Sequence, residues 1–136
     1  MRTSKQGMVY VIEDDASVRQ ALTRLLRSAG LQVRTFPDAD AFLTAGCQSE
    51  NACIVADVRM PGMSGLELQR QLKRAGSPLR VIFVTAQDTD ETRTEAIQAG
   101  GVAFFAKPVD DQALLDAIRW TLASSGGSVN VPPRGG

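Results

Sequence analysis

The chain has 136 residues, 43% of them apolar and 22% charged, which fits one soluble domain and leaves too little material for two independent cores. Fifteen Lys and Arg balance fifteen Asp and Glu, so no net field holds this chain itself on nucleic acid or on an anionic membrane. Histidine is absent, which excludes a Ser-His-Asp triad, His-ligated zinc and a phosphohistidine formed on this chain.

In chain order, residues 1–7 are polar, carry no signal-peptide apolar segment, and are expected to be disordered. Met8 to Ile12 reads as a buried strand with acids directly after it. Val18, Ala21, Leu22, Leu25, Leu26 and Ala29 then follow helical spacing, with Gly30 as the stop. Val33 to Phe36 is a second, more polar strand, and Asp38 can cap a short helix carrying Ala41, Phe42 and Ala45. Cys53 to Ala56 forms a third strand ending at Asp57. Met60 to Met63 is turn-like, and Ser64-Gly65-Leu66-Glu67 fits a capping box opening a helix through Leu68, Leu72 and Ala75.

Gly76-Ser77-Pro78 ends that helix, and Val81 to Val84 is a fourth strand with Thr85 at its end. A polar helix spans about 90–99 and stops at Gly100-Gly101. Val102 to Phe105 is the fifth strand, followed by Lys107-Pro108. The last helix spans about 110–123, with Leu114, Leu115, Ile118 and Leu122 as its apolar stripe. Trp120 is expected on that packing face, and Tyr10 in the core. Residues 124–136, rich in Ser, Gly and Pro, read as a flexible tail or interdomain linker. The domain proper is 8–123.

Strict strand-helix alternation predicts an α/β fold, a single (βα)5 doubly wound parallel sheet with helices on both faces. Ligands of such folds bind at the carboxyl ends of the strands. Those ends carry Glu13-Asp14-Asp15, Asp57, Thr85 and Lys107, so several carboxylates, a hydroxyl and an ammonium converge on one edge. Clustered carboxylates repel and take up protons unless a cation shares the site. With oxygen ligands only, a hard divalent ion suits it, Mg²⁺ (or Mn²⁺). A carboxylate beside such an ion, a lysine and a hydroxyl is equipped to attack a phosphoryl group. Asp14 and Asp15 have a second reading as caps of the first helix. The two cysteines, Cys47 and Cys53, match no metal or redox spacing and read as free thiols of a cytoplasmic protein.

Four segments together carry a family resemblance: Val-Ile-Glu-Asp-Asp at 11–15, Asp-Val-Arg-Met-Pro-Gly-Met-Ser-Gly at 57–65, Val-Thr-Ala at 84–86 and Phe-Phe-Ala-Lys-Pro at 104–108. Over residues 8 to 123 the sequence resembles a response-regulator receiver domain of two-component signalling, FixJ/LuxR-type branch. That resemblance implies a flavodoxin-like sheet in the order 2-1-3-4-5 and makes Asp57 the phosphoacceptor, phosphorylated from the phosphohistidine of a sensor histidine kinase. It assigns Mg²⁺ to Asp14 directly, Glu13 through water, Asp57 and the Arg59 backbone carbonyl. The related branch carries an Arg six residues after its first acid, and matching Arg19 to it selects Glu13 and Asp14 from the three acids, leaving Asp15 beside the site.

By the same resemblance Thr85 and Lys107 bind the arriving phosphoryl group, and Phe104 is the switch aromatic. Arg59 and Gln87 occupy positions that tune the phosphoryl lifetime, although both also read simply as solvent-facing polar residues, and the Lys107-Pro108 bond is cis. Val18, Ala21 and Leu22 offer an apolar docking patch for the kinase. Phe104 also reads simply as core. Phosphorylation is expected to reshape the surface of the fourth helix, fifth strand and fifth helix and drive homodimerisation. The chain is not an enzyme acting on a separate substrate; it catalyses only its own phosphotransfer and slow autodephosphorylation. Three receiver readings stay open: a module of a DNA-binding transcription regulator, a stand-alone docking protein, and a phosphorylation-independent pseudo-receiver. A flavin-binding flavodoxin would need a Ser/Thr/Gly-rich loop where the acids stand. A haloacid-dehalogenase-like phosphatase is expected to carry an acid two residues after its nucleophile, where this chain has Arg59.

Overall fold

Alternation of side chains along each strand decides how this chain divides its apolar residues. In the computed structural model, which describes residues 7–46, 51–86 and 88–123, β1 (Met8–Ile12) sends Tyr10 and Ile12 to one face and Val9 and Val11 to the other. Its neighbours are β2 (Gln32–Phe36) and β3 (Ala52–Asp57), followed outward by β4 (Arg80–Thr85) and β5 (Ala103–Ala106). All pairings are parallel, and the sheet order is β2-β1-β3-β4-β5. β3 is buried at every position, as a central strand covered on both faces must be.

One face packs Tyr10, Ile54, Phe83 and their neighbours under α2 (Ala39–Ala45), α3 (Gly65–Arg74) and α4 (Asp90–Ala99). The other packs Val9, Val55 and Ile82 under α1 (Ala16–Ser28) and α5 (Asp111–Ala123), through Leu26, Leu114 and Ile118. Tyr10, Phe36 and Phe42 form an aromatic trio with centroids 5.3–6.3 Å apart, joining β1, β2 and α2. Leu115 and Leu122 of α5 are half-buried against the same core as Leu114. Trp120 is only half-buried, so α5 packs mainly through its aliphatic residues. Cys53 is a buried free thiol, and burial pushes its pKa up to about 12; Cys47 lies outside the described residues, as do 1–6, 124–136 and Gln87.

Element ends differ from the sequence reading by one or two residues. The fifth strand begins at Ala103 rather than Val102 and runs through Ala106. Gly101 precedes it with its Cα against the Phe83 ring, where a Cβ would stand 2.5 Å from the ring edge. Phe104 lies inside the strand on either reading, and its partner on β4 is Phe83.

Candidate phosphoacceptor site

The parallel register brings the acidic strand ends side by side. Ile12 pairs with Ala56, so Glu13 continues beside Asp57. Asp57 pairs with Val84, which leaves Thr85 one residue further along, opposite Ala106. The Lys107 backbone N–H donates to the Thr85 carbonyl at 2.7 Å, fixing where the lysine leaves β5. The Lys107–Pro108 peptide is cis.

Lys107 bridges the two buried acids. Its Nζ donates to Asp57 Oδ2 at 2.7 Å and to Glu13 Oε1 at 2.9 Å. Asp57 Oδ1 accepts the Arg59 backbone N–H at 3.0 Å. Burial pushes the Glu13 carboxyl above its usual value, although the Lys107 hydrogen bond, the Asp15 N–H and the lysine charge pull the other way. Burial also works against the charge on Lys107. The hydrogen bonds and charges of Asp57 and Glu13 outweigh it, and its pKa lies above the usual lysine value.

The three acids after β1 have separate tasks. Asp15 caps α1, its Oδ1 accepting the Ser17 and Val18 N–H groups at 2.8 and 3.2 Å. Glu13 points inward, with 1% of its surface exposed, and its Oε2 accepts the Asp15 N–H at 3.2 Å. Asp14 is exposed, and one carboxylate oxygen from each of Glu13, Asp14 and Asp57 lies within 4.8 Å of the other two. Three hard oxygen donors at that spacing fit a small divalent cation such as Mg²⁺. Both Glu13 oxygens already accept protein hydrogen bonds, whereas Asp14 faces solvent.

Arg19 holds this loop in place. One turn into α1, its Nη1 donates to the Glu13 carbonyl at 2.6 Å. The β3–α3 loop is held by a contact the sequence reading did not single out. The Gly65 N–H donates to the Val58 carbonyl at 2.9 Å, and a Cβ on Gly65 would stand 2.3 Å from the Asp57 carbonyl oxygen. Only glycine permits that approach. The signal was in the sequence, a Gly at the first position of a Ser-capped helix, but its partner is set only by the fold. Ser64 accepts the Glu67 N–H at 3.1 Å, as the capping motif predicts.

Thr85 is buried beside Asp57. Phe104 is half-buried on the face of β5 that carries it against Phe83, and the Arg93 guanidinium lies over its ring, 4.8 Å from the centroid. Arg59 is exposed. Of the apolar residues on α1, Ala21 is exposed, while Val18 and Leu22 are half-buried and Leu22 packs into the core; the structure brings none of the three into the carboxylate cluster.

A family model for the response regulator receiver domain matches residues 9–119. The chain is 42% identical over 120 residues to the response regulator protein TodT of Pseudomonas putida, covering 88% of this chain and 53% of that protein. It is 44% identical over 117 residues to the transcriptional regulatory protein FixJ of Azorhizobium caulinodans, covering 86% and 56% respectively. It thus spans about half the length of the curated relatives it matches. Among solved structures, FixJ-N superposes with a TM-score of 0.80 at 32% identity, over 96% of this chain and 99% of that one.

Proposed function

This chain belongs to the response regulator receiver domain family, in its FixJ/LuxR-type branch, and from that premise we propose that Asp57 is the phosphoacceptor of a two-component signalling switch. The observation that carries the reading is the Lys107 ammonium bridging Asp57 and Glu13, with Asp14 completing a carboxylate cluster at the strand ends.

A carboxylate oxygen of Asp57 attacks phosphorus in the phosphohistidine of a sensor histidine kinase. The O–P bond of an acyl phosphate forms and the N–P bond breaks. The electron pair of the broken bond stays with the departing imidazole, which becomes neutral histidine on protonation. Asp14, Asp57 and the Arg59 carbonyl directly, and Glu13 through water, would hold Mg²⁺ or Mn²⁺, which when bound would offset the charge developing on the phosphoryl oxygens. Lys107 moves from the free carboxylates to a phosphoryl oxygen, and the Thr85 hydroxyl donates to another. Arg59 and Gln87, two residues beyond Asp57 and Thr85, tune access of the hydrolytic water. Slow hydrolysis of the acyl phosphate resets Asp57, and the chain turns over no other substrate.

Phosphoryl binding draws Thr85 toward Asp57, Phe104 turns into the space it leaves, and the α4–β5–α5 surface changes to favour a homodimer. Relatives about twice as long, one of them named a transcriptional regulator, support assigning this chain to the receiver part of a DNA-binding regulator. Ala21, with Val18 and Leu22 beside it, is the proposed contact for the kinase.

Intact-protein mass after incubation with acetyl phosphate tests the chemistry. The expected result is a gain of one phosphoryl mass that requires Mg²⁺ and is absent in Asp57→Asn. An equal gain in the Asn variant, or none in the wild type with Mg²⁺ bound, overturns the assignment.

A further inference from the structure

α4 is the helix least secured by apolar packing. Its buried side chains are Thr92, Ala96 and Ala99, all small, whereas α3 buries Leu66, Leu68 and Leu72. Little apolar area is removed from water along α4, so its seat depends on specific polar and aromatic holds. Thr89 supplies one at the N-terminus, its Oγ1 accepting the Thr92 N–H at 3.1 Å.

Arg93 supplies two more. Its guanidinium stacks over the Phe104 ring, 4.8 Å from the centroid, and its Nη2 donates to Asp88 Oδ1 at 3.0 Å. Asp88 lies three residues after Thr85, in the loop leading into α4. One side chain therefore ties together the loop after Thr85, the first half of α4, and the aromatic residue of β5.

We propose that Arg93 is a latch that restrains the switch: tied to Asp88 and stacked on Phe104, it holds the loop and the ring in the unphosphorylated arrangement. The inference rests on the reading of Asp57 and Phe104 above. A ring that turns inward toward Thr85 leaves the guanidinium, so the contact stabilises only one of the two states, and only such a differential contact can bias their ratio. Arg93 thus sets a threshold on activation without touching the phosphoryl group. It is a positioning residue.

Beryllofluoride, a phosphoryl mimic, titrated with saturating Mg²⁺ into the full chain and followed by amide NMR shifts around Asp57, reads that threshold. A cation–π contact and an exposed ion pair together correspond to a change of about threefold to tenfold in affinity. Arg93→Gln is expected to bind beryllofluoride tighter by that factor, with Arg93→Lys, which keeps the charge, in between. In a Phe104→Leu background the gain from Arg93→Gln should largely disappear. In the wild type, the ring-current upfield shift of the Arg93 side-chain protons should vanish at saturation.

Equal affinity of the wild type and Arg93→Gln overturns the latch, as does an undiminished gain in the Phe104→Leu background. Persistence of the ring-current shift at saturation also overturns it, and that readout needs no variant to fold. Failure of the wild type to bind beryllofluoride is a different result, because it removes the Asp57 reading and the latch with it.

Discussion

Lys107 is the residue on which the electrostatics of the site turn. Its single charge is shared by two neighbouring carboxylates, and Lys107→Met leaves both without their cation. Breaking a fully buried pair costs roughly 3–5 kcal/mol, and partial exposure of this lysine reduces the expected loss to about 1–3 kcal/mol at pH 7. Urea denaturation of the two proteins without Mg²⁺ checks it. The raised pKa of Lys107 means that the folded chain holds this proton more tightly than the unfolded chain. Its contribution is complete below about pH 10.5 and is lost as pH rises through the folded value. The wild type should therefore lose more stability than Lys107→Met between neutral and strongly alkaline pH. Glu13 follows the same sign in a lower pH range. A carboxyl whose pKa is raised by burial binds more protons folded than unfolded, so its contribution falls as pH rises from the unfolded value through the folded one. Glu13→Gln mimics the protonated form and should be no less stable than the wild type at pH 7, with a flatter acid-side profile. A marked loss of stability in Glu13→Gln would show that the Lys107 bond, and not desolvation, dominates there.

At the scale of elements, two glycines let helix ends and turns close on the sheet. Gly65 places the start of α3 against the Asp57 carbonyl, and Gly101 seats the α4–β5 turn on Phe83. The Phe83 ring is thus wedged between them, beneath the Asp57 loop. Gly65→Ala forces a Cβ into backbone and should cost about 1–3 kcal/mol, the usual range for overpacking. It should also displace the Asp57 loop, seen as amide shifts at Val58 and Arg59. Ala75, at the end of the same helix, is exposed, so Ala75→Gly should change stability by about 0.5–1 kcal/mol at most and leave those amides in place.

Across the whole molecule, the carboxylate edge should couple folding to Mg²⁺. An ion that binds only the folded chain stabilises it by about 2.7 kcal/mol at a hundredfold excess over Kd. Thermal or urea unfolding should show that increment in the wild type and most of it lost in Asp14→Asn. Asp15→Asn, which alters only the cap on α1, should retain it, because Asn is an equally good cap. An equal Mg²⁺ response in all three would remove Asp14 from the metal site. No helix among the described residues is long and apolar enough to cross a membrane, and the two-layer packing around the parallel sheet accounts for the apolar residues of every strand.

Much of this was legible from residue order alone. Val9, Val11, Cys53 and Val55 stand in short apolar runs bounded by acids and glycines, and such runs can be little else than buried strands. Asp57, Thr85 and Lys107 were visible because a polar residue ends each run, and a parallel sheet aligns those ends. Local sequence could not divide the acids at 13–15 by geometry, since a cap and a metal ligand look alike until the backbone shows that Asp15 accepts the α1 N–H groups. It could not give the cross-strand partner of Phe104, because the register that sets Phe104 beside Phe83 is fixed by how β5 meets β4. The contacts of Lys107 with Glu13, Arg93 with Phe104, and Gly65 with Asp57 were equally hidden. Each joins residues on different elements, and their distances follow from sheet register and helix packing, which no periodicity in one segment encodes.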